Sequence, residues 1–235
     1  GNSVNKISEK LAVNIKELNE TNEKLKNEMA IQKKFLASVS HEFKTPVGLI
    51  KGYCELLQLS DGNDSKDINE ITEIIMKESD RLNWLVNDIL FTVRLGSGNY
   101  ELKFQNLELV ELIRDTVRKF KYQLDLKHVR AEFETPDKLA VFADKGRMIQ
   151  VMTNLISNAM NHVNQEGRIT ISIHQRDDDV IIIVFNSGSV INEKDLPHLF
   201  DEFYRSESDR SRRTGGSGLG LSIVKAIVTA HDGKY

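Results

Sequence analysis

Only one cysteine, Cys54, occurs in 235 residues. That rules out an internal disulfide, and with it the small secreted scaffolds that depend on such staples. A lone thiol fits a reducing cytosol, and its place in an apolar helical run marks it as a packing group rather than a reactive one. Charge of one sign is lacking too. The formal net charge is −3, so no electrostatic case for nucleic-acid binding arises. The one basic cluster, Arg210, Arg212 and Arg213, is a short loop-like run. No stretch approaches the roughly 18 apolar residues that a membrane-spanning helix needs. Gly1-Asn2-Ser3 leads into a polar helix, not a secretory signal. What remains is a chain expected to be soluble as it stands, long enough for one large or two ordinary domains with cores of their own.

What is present begins with a heptad. Val4, Leu11, Leu18 and Leu25 form one series and Ile15, Met29 and Leu36 the other, with Val39 and Phe43 carrying the pattern on. Sustained heptads predict helices that wind round each other. Ser8, Asn22 and Gln32 share the seam, and a buried asparagine there favours fixed register and two strands. The flanking faces are almost wholly Lys, Glu and Asn, so a parallel homodimer is preferred over a helix packed within one chain. The pattern continues past Pro46 to Leu59. Proline removes an amide donor and predicts a kink there. Residues 60–65 read as a turn, followed by a second helix over about 66–95. Two such hairpins make a four-helix bundle, with Trp84 in its core. Gly96-Ser97-Gly98-Asn99 marks a domain boundary.

Beyond that boundary the texture changes. Short strand-like runs occur at 101–105 and 139–142, with a weaker one near 129–133. Amphipathic helices are expected over about 108–126 and 145–163. Residues 168–175 alternate Ile169, Ile171 and Ile173 with polar partners, predicting a half-buried strand. Residues 180–185 are continuously apolar, predicting a more fully buried one, with a hairpin turn at Asp177-Asp178-Asp179. A last helix runs from about Gly218 to His231. This mix implies an α+β layer sandwich.

Three clusters carry chemistry. His41 lies beside the apolar stripe, where a partner can reach it, and neutral imidazole is a usable nucleophile near pH 7. Glu42 is placed to accept a ring N–H and raise the basicity of the other nitrogen. Thr45 shares the helix face of His41, and its hydroxyl suits positioning of a water or phosphoryl group. Asn154 and Asn158 project from one helix face, and amide oxygens suit Mg²⁺. Gly215-Gly216-Ser217-Gly218-Leu219-Gly220 precedes a helix, where backbone amides approach phosphate oxygens. It is neither a P-loop nor the dinucleotide fingerprint. A histidine alone on a helix is usually incidental, so the weight rests on the three clusters together.

In order along the chain these residues resemble the sensor histidine kinases of two-component signalling. Ser40-His41-Glu42-Phe43-Lys44-Thr45-Pro46 is similar to the family's H box. Asn154 to His162 resembles its N box, Leu199 to Arg205 its F box, and Gly216 to Leu221 its second glycine box. The resemblance implies a signalling coiled-coil helix over 1–30 and a dimerisation and histidine-phosphotransfer hairpin over 31–96. It also implies an α/β-sandwich ATP-binding domain of the histidine-kinase/Hsp90-like type over 97–235, with the family's final strands missing after Tyr235. His41 would accept the phosphoryl group, aided by Glu42 and Thr45. ATP would contact Asn154, Asn158, His162, Asn186, Gly188, Phe203, Tyr204, Arg205, Gly216, Gly218, Leu219 and Gly220, with Mg²⁺ on Asn158.

The resemblance further implies a response-regulator receiver domain as partner, docking around Gly52, Tyr53, Glu55 and Leu56, and regulator phosphatase activity. No membrane contact is expected of this fragment, which would be the cytoplasmic portion of a bacterial cell-membrane protein. Two positions depart from the family pattern. Asn186 stands where an aspartate normally holds the adenine amino group. Asn161 stands where a lysine is common, leaving Arg205 as the cationic contact. The alternatives are a dimeric nucleotide-binding scaffold with little kinase activity, and an ATPase of the same nucleotide fold.

Overall fold

The computed structural model describes residues 2–59, 65–96, 101–177, 179–188, 190–205 and 218–235. The chain divides into two compact units, Gly1–Asn83 and Trp84–Tyr235. The first is built from α1 (Asn2–Leu59) and most of α2 (Ser65–Gly96). α1 runs for 58 residues with Pro46 inside it. The Glu42 carbonyl therefore has no helical N–H partner, because proline carries none. Pro46 itself is fully buried. The expected turn at 60–65 lies largely outside the described residues, as do the side chains of Val4 and Ser8 on the heptad seam. Farther along the seam, Leu11, Ile15, Leu18, Leu25, Met29 and Leu36 are each more than half exposed in a single chain, while Val39 and Phe43 are half-buried. No helix among the described residues is long and apolar enough to cross a membrane.

The second unit layers helices on a sheet. β2 (Arg130–Glu134) pairs in parallel with β4 (Arg168–Arg176), and β4 pairs antiparallel with β5 (Asp179–Asn186). A separate antiparallel ladder joins β1 (Phe104–Glu108) to β3 (Ala140–Asp144). Ile169, Ile171 and Ile173 of β4 turn inward against Ile113 of α3 (Leu109–Arg118) and Met152 and Ile156 of α5 (Lys145–His162). All six are buried, and they form the centre of the core. α4 (Lys121–Leu126) and α6 (Gly220–Ala230) complete the unit.

Two local expectations are corrected. The helix over 108–126 is two helices, α3 and α4. The Lys119 and Phe120 amides fold back onto the Thr116 and Val117 carbonyls, which turns the chain so that Leu124 is buried. The two strands also exchange their expected burial. β4 lies centrally, with Glu132 and Glu134 reaching over Thr170 and Ser172, so both of its faces are covered. β5 is at the edge of this sheet, and nothing described covers its outer face. Ile181, Ile183 and Phe185 therefore stay 42%, 47% and 47% exposed. A continuous apolar run does not reveal whether a strand is central or at an edge.

Candidate nucleotide and phosphoacceptor sites

The helix α5 begins where it does because Asp144 caps it. One carboxylate oxygen accepts the Arg147 amide at 3.1 Å and the other accepts the Lys103 amide at 2.9 Å. Burial alone would raise the Asp144 pKa. The amides of Lys103, Arg147 and Gly146, with the Arg147 charge, outweigh it and hold the carboxyl below the usual range. From that start α5 buries Val151, Met152, Ile156, Ala159 and Met160. The 3.6-residue period then leaves Asn154, Asn158 and His162 half-buried along one neighbouring stripe.

The glycine cluster and the F-box segment meet this stripe. Asn154 Nδ2 donates to the Gly220 carbonyl at 3.2 Å. The Phe203 amide donates to the Gly218 carbonyl at 3.0 Å. Gly218 has φ of +72°, and a Cβ there would lie 2.8 Å from the Phe203 Cα, so a side chain is excluded on two counts. Leu219 is fully buried and occupies the N-cap of α6. The start of a helix suits an anion.

On the other side, Asn186 ends β5 half-buried, opposite Ile169. Gly188 follows with φ of +136°, and a Cβ there would stand 2.3 Å from the His162 carbonyl. A bridge between Val163 and Gly188 fixes that approach. Tyr204 donates its hydroxyl to the buried Asp195 at 2.7 Å, which commits it to its own loop. Arg205 is half-buried nearby in sequence, and Gly216 lies outside the described residues. A groove of about 760 Å³ between α3, α4 and β2 includes none of these residues.

In the first unit His41 sits mid-helix and is exposed, with Thr45 exposed one turn on. The expected contact between His41 and Glu42 is not formed among the described residues. Glu42 turns toward α2, where Arg81 Nη2 donates to its Oε2 at 3.4 Å. A cation on the facing helix outcompetes a neutral ring N–H for the carboxylate.

These two sites fall within two family models. The His Kinase A (phospho-acceptor) domain matches residues 31–98, and the histidine kinase-, DNA gyrase B- and HSP90-like ATPase matches residues 143–235. The signal transduction histidine-protein kinase BaeS of Escherichia coli K12 is 32% identical over 96% of this chain and 47% of its own length. The catalytic domain of histidine kinase ThkA is 32% identical, with a TM-score of 0.50, covering 55% of this chain and 82% of that one. The chain belongs to the histidine kinases. A histidine kinase ThkA in complex with response regulator protein TrrA also aligns, at 28% identity and a TM-score of 0.66, over 88% of this chain and 57% of that one. The chain spans about half the length of the curated relatives it matches.

Several residues of this histidine kinase were not singled out from sequence. Asp144 had a legible signal, a cap residue directly before an amphipathic run. His231 did not: its Nε2 accepts the Asp144 amide at 3.1 Å and its Nδ1–H donates to the Ile227 carbonyl at 2.8 Å, which ties α6 to the start of α5. Asp88, Phe91, Arg147 and Gln150 also join across two helices. The Arg147 guanidinium lies 4.0 Å over the Phe91 ring, and Gln150 donates to Asp88 at 3.2 Å. Pairs so distant in sequence leave no local pattern.

Proposed function

We propose that the second unit binds ATP and that His41 accepts its γ-phosphoryl group, which then passes to an aspartate on a response-regulator receiver domain. The observation that carries this reading is that α5 meets Gly220 through Asn154 and Gly188 through the His162 carbonyl, while Phe203 bonds to Gly218, in a chain whose first unit exposes a mid-helix histidine. Gly188 and Gly218 let the loops that carry them press against the His162 carbonyl and the Phe203 backbone, which sets the shape of this region. Asn186 accepts the adenine amino group, Arg205 supplies positive charge, and the start of α6 meets phosphate.

No cluster of His, Cys, Asp or Glu able to hold a metal occurs among the described residues. Mg²⁺ still fits, because it is usually held by one or two protein oxygens plus phosphate and water. The Asn158 side-chain oxygen would hold the ion, which would supply charge neutralisation to the phosphates. In the transfer, a lone pair on a His41 ring nitrogen forms the new N–P bond while the bond from Pγ to the bridging oxygen breaks, and ADP leaves. Positioning and charge neutralisation supply most of the rate. Thr45, one turn from His41, orients water for the regulator's dephosphorylation. The receiver domain docks near Gly52, Tyr53, Glu55 and Leu56, where Leu56 is 52% exposed. The chain acts as a homodimer whose longer parent is membrane-anchored.

Incubation with γ-labelled ATP tests the reading. Acid-labile, base-stable label that vanishes in His41→Ala supports it, and absence of label in the wild-type chain rejects it. Asn186 favours one second reading, a scaffold that binds nucleotide poorly, because a neutral amide is a weaker acceptor than a carboxylate. That reading predicts no label at saturating ATP. Thr45→Ala is expected to keep autophosphorylation and to slow regulator dephosphorylation at least tenfold, measured as loss of label from the receiver. Equal loss of both activities rejects the role given to Thr45.

A further inference from the structure

One residue from His41, three charged groups share a space too small to satisfy them all. Arg81 on α2 faces Glu42 on α1 at 3.4 Å and Glu78, one turn back on its own helix, at 3.6 Å. The two carboxylate side chains are only 16% and 14% exposed, so bulk water stabilises neither fully. The guanidinium hydrogen-bonds to Glu42. The guanidinium's Nη1 stands 3.6 Å from Glu78 Oε2, an ion pair without a hydrogen bond, and that buried oxygen has no hydrogen-bond partner. A buried acceptor left open costs about 1–3 kcal/mol. One cation thus pairs with two half-buried anions through different nitrogens, Nη2 to Glu42 and Nη1 to Glu78, and its one hydrogen bond between them goes to the residue next to His41.

We propose that Arg81 is a positioning residue for phosphoryl transfer, acting through Glu42, and that Glu78 is its alternative partner. With the guanidinium on Glu42, that carboxylate is drawn toward α2 and is unavailable to the His41 ring N–H. When the guanidinium moves to Glu78, it satisfies the open Oε2 and releases Glu42. Glu42 then accepts the ring N–H, which fixes the tautomer and presents the other nitrogen's lone pair outward. The movement is a small rotation of one side chain between neighbours, with no change of fold. It rests on the reading of His41 as the phosphoryl acceptor.

The two carboxylates give opposite expectations, which general damage to the bundle does not. In the full chain, Arg81→Gln frees Glu42 and is expected to raise the autophosphorylation rate constant about fivefold, a size consistent with releasing a partly exposed ion pair. Glu78→Gln weakens the alternative partner, keeps Arg81 on Glu42, and is expected to slow the reaction by a similar factor. Arg81→Lys keeps a cation for Glu42 and is expected to restore a rate within twofold of wild type. The KM for ATP stays unchanged in all three. The double variant Arg81→Gln/Glu78→Gln should match Arg81→Gln alone, since Glu78 acts only through the arginine.

A slower reaction in both single variants, no change in either, or a shift in KM overturns the proposal. A ¹⁵N spectrum of the His41 ring gives an independent readout. Arg81→Gln is expected to enrich one neutral tautomer over wild type, and an identical tautomer ratio counts against the proposal. Absence of label in the wild type rejects the acceptor role of His41 and this proposal with it. Label in the wild type with the variants unchanged rejects the role of Arg81 alone.

Discussion

At the scale of single residues, the nucleotide site depends on positions where one atom more is too many. At Gly188 a Cβ would meet the His162 carbonyl at 2.3 Å, on a backbone with φ of +136°. Gly188→Ala is therefore expected to destabilise the second unit by about 2 kcal/mol or more. It should also abolish measurable ATP binding, read by thermal melting and calorimetry. Asn186 works in the other direction. It ends β5, where the proposed reading puts the adenine amino group, and a charged acceptor is stronger than a neutral one. Asn186→Asp should tighten ATP binding by roughly 1 kcal/mol, about fivefold, and calorimetry showing weaker or equal binding would sink the assignment. Residues of this kind were legible in sequence because their constraint is local. A glycine run before a helix, two asparagines a turn apart, and a histidine off the apolar stripe each show within a dozen positions. Arg81 and Glu42 lie 39 positions apart, and no periodicity announces that they meet.

Among elements, the last turns of α2 are fastened to α5 by two matched contacts one helical turn apart. Phe91 lies under Arg147, and Asp88 receives Gln150. Phe91 is buried, and burial pushes the Asp88 carboxyl up to about 6, with the Gln150 hydrogen bond offsetting part of the rise. Its pKa when unfolded is near the ordinary 3.8, so between these values the folded chain holds a proton that the unfolded chain has lost. Stability then falls as pH rises from about 4 to 6 and levels off above. Since Asp88 is partly solvated, the slope should total on the order of 1 kcal/mol. Asp88→Asn keeps the acceptor oxygen for Gln150 and removes the proton. Denaturant unfolding at pH 5 and pH 7.5 should show the variant gaining more stability over wild type at the higher pH, and an equal gain at both would refute the linkage. Element types were readable from periodicity, because 2.0 and 3.6 are separable in short windows. What sequence did not convey was which strand was central. Burial of β4 comes from Glu132 and Glu134 on a strand 38 positions away, and exposure of β5 from the lack of a described neighbour on its outer face.

At the scale of the molecule, the exposed seam of α1 leaves several large apolar side chains in water. Leu18 is 71% exposed in one chain and Leu25 53%, both at heptad positions, and neither has a covering element in its unit. A second copy in parallel register would bury both from each chain, with Asn22 between them fixing alignment. At about 1.5–3 kcal/mol per buried leucine, four such side chains contribute roughly 6 kcal/mol or more to association. Leu18→Lys/Leu25→Lys removes that term and sets like charges across the axis. The double variant should sediment as a monomer at concentrations where wild type is dimeric, or dimerise at least about 10⁴-fold more weakly if α2 also contributes. The seam lies well before His41 along α1, so chemistry at the ring can survive in any dimer that remains. An unchanged sedimentation profile would mean that the leucines are covered within one chain or by a different partner, and the homodimer would have to be rebuilt from the hairpin alone.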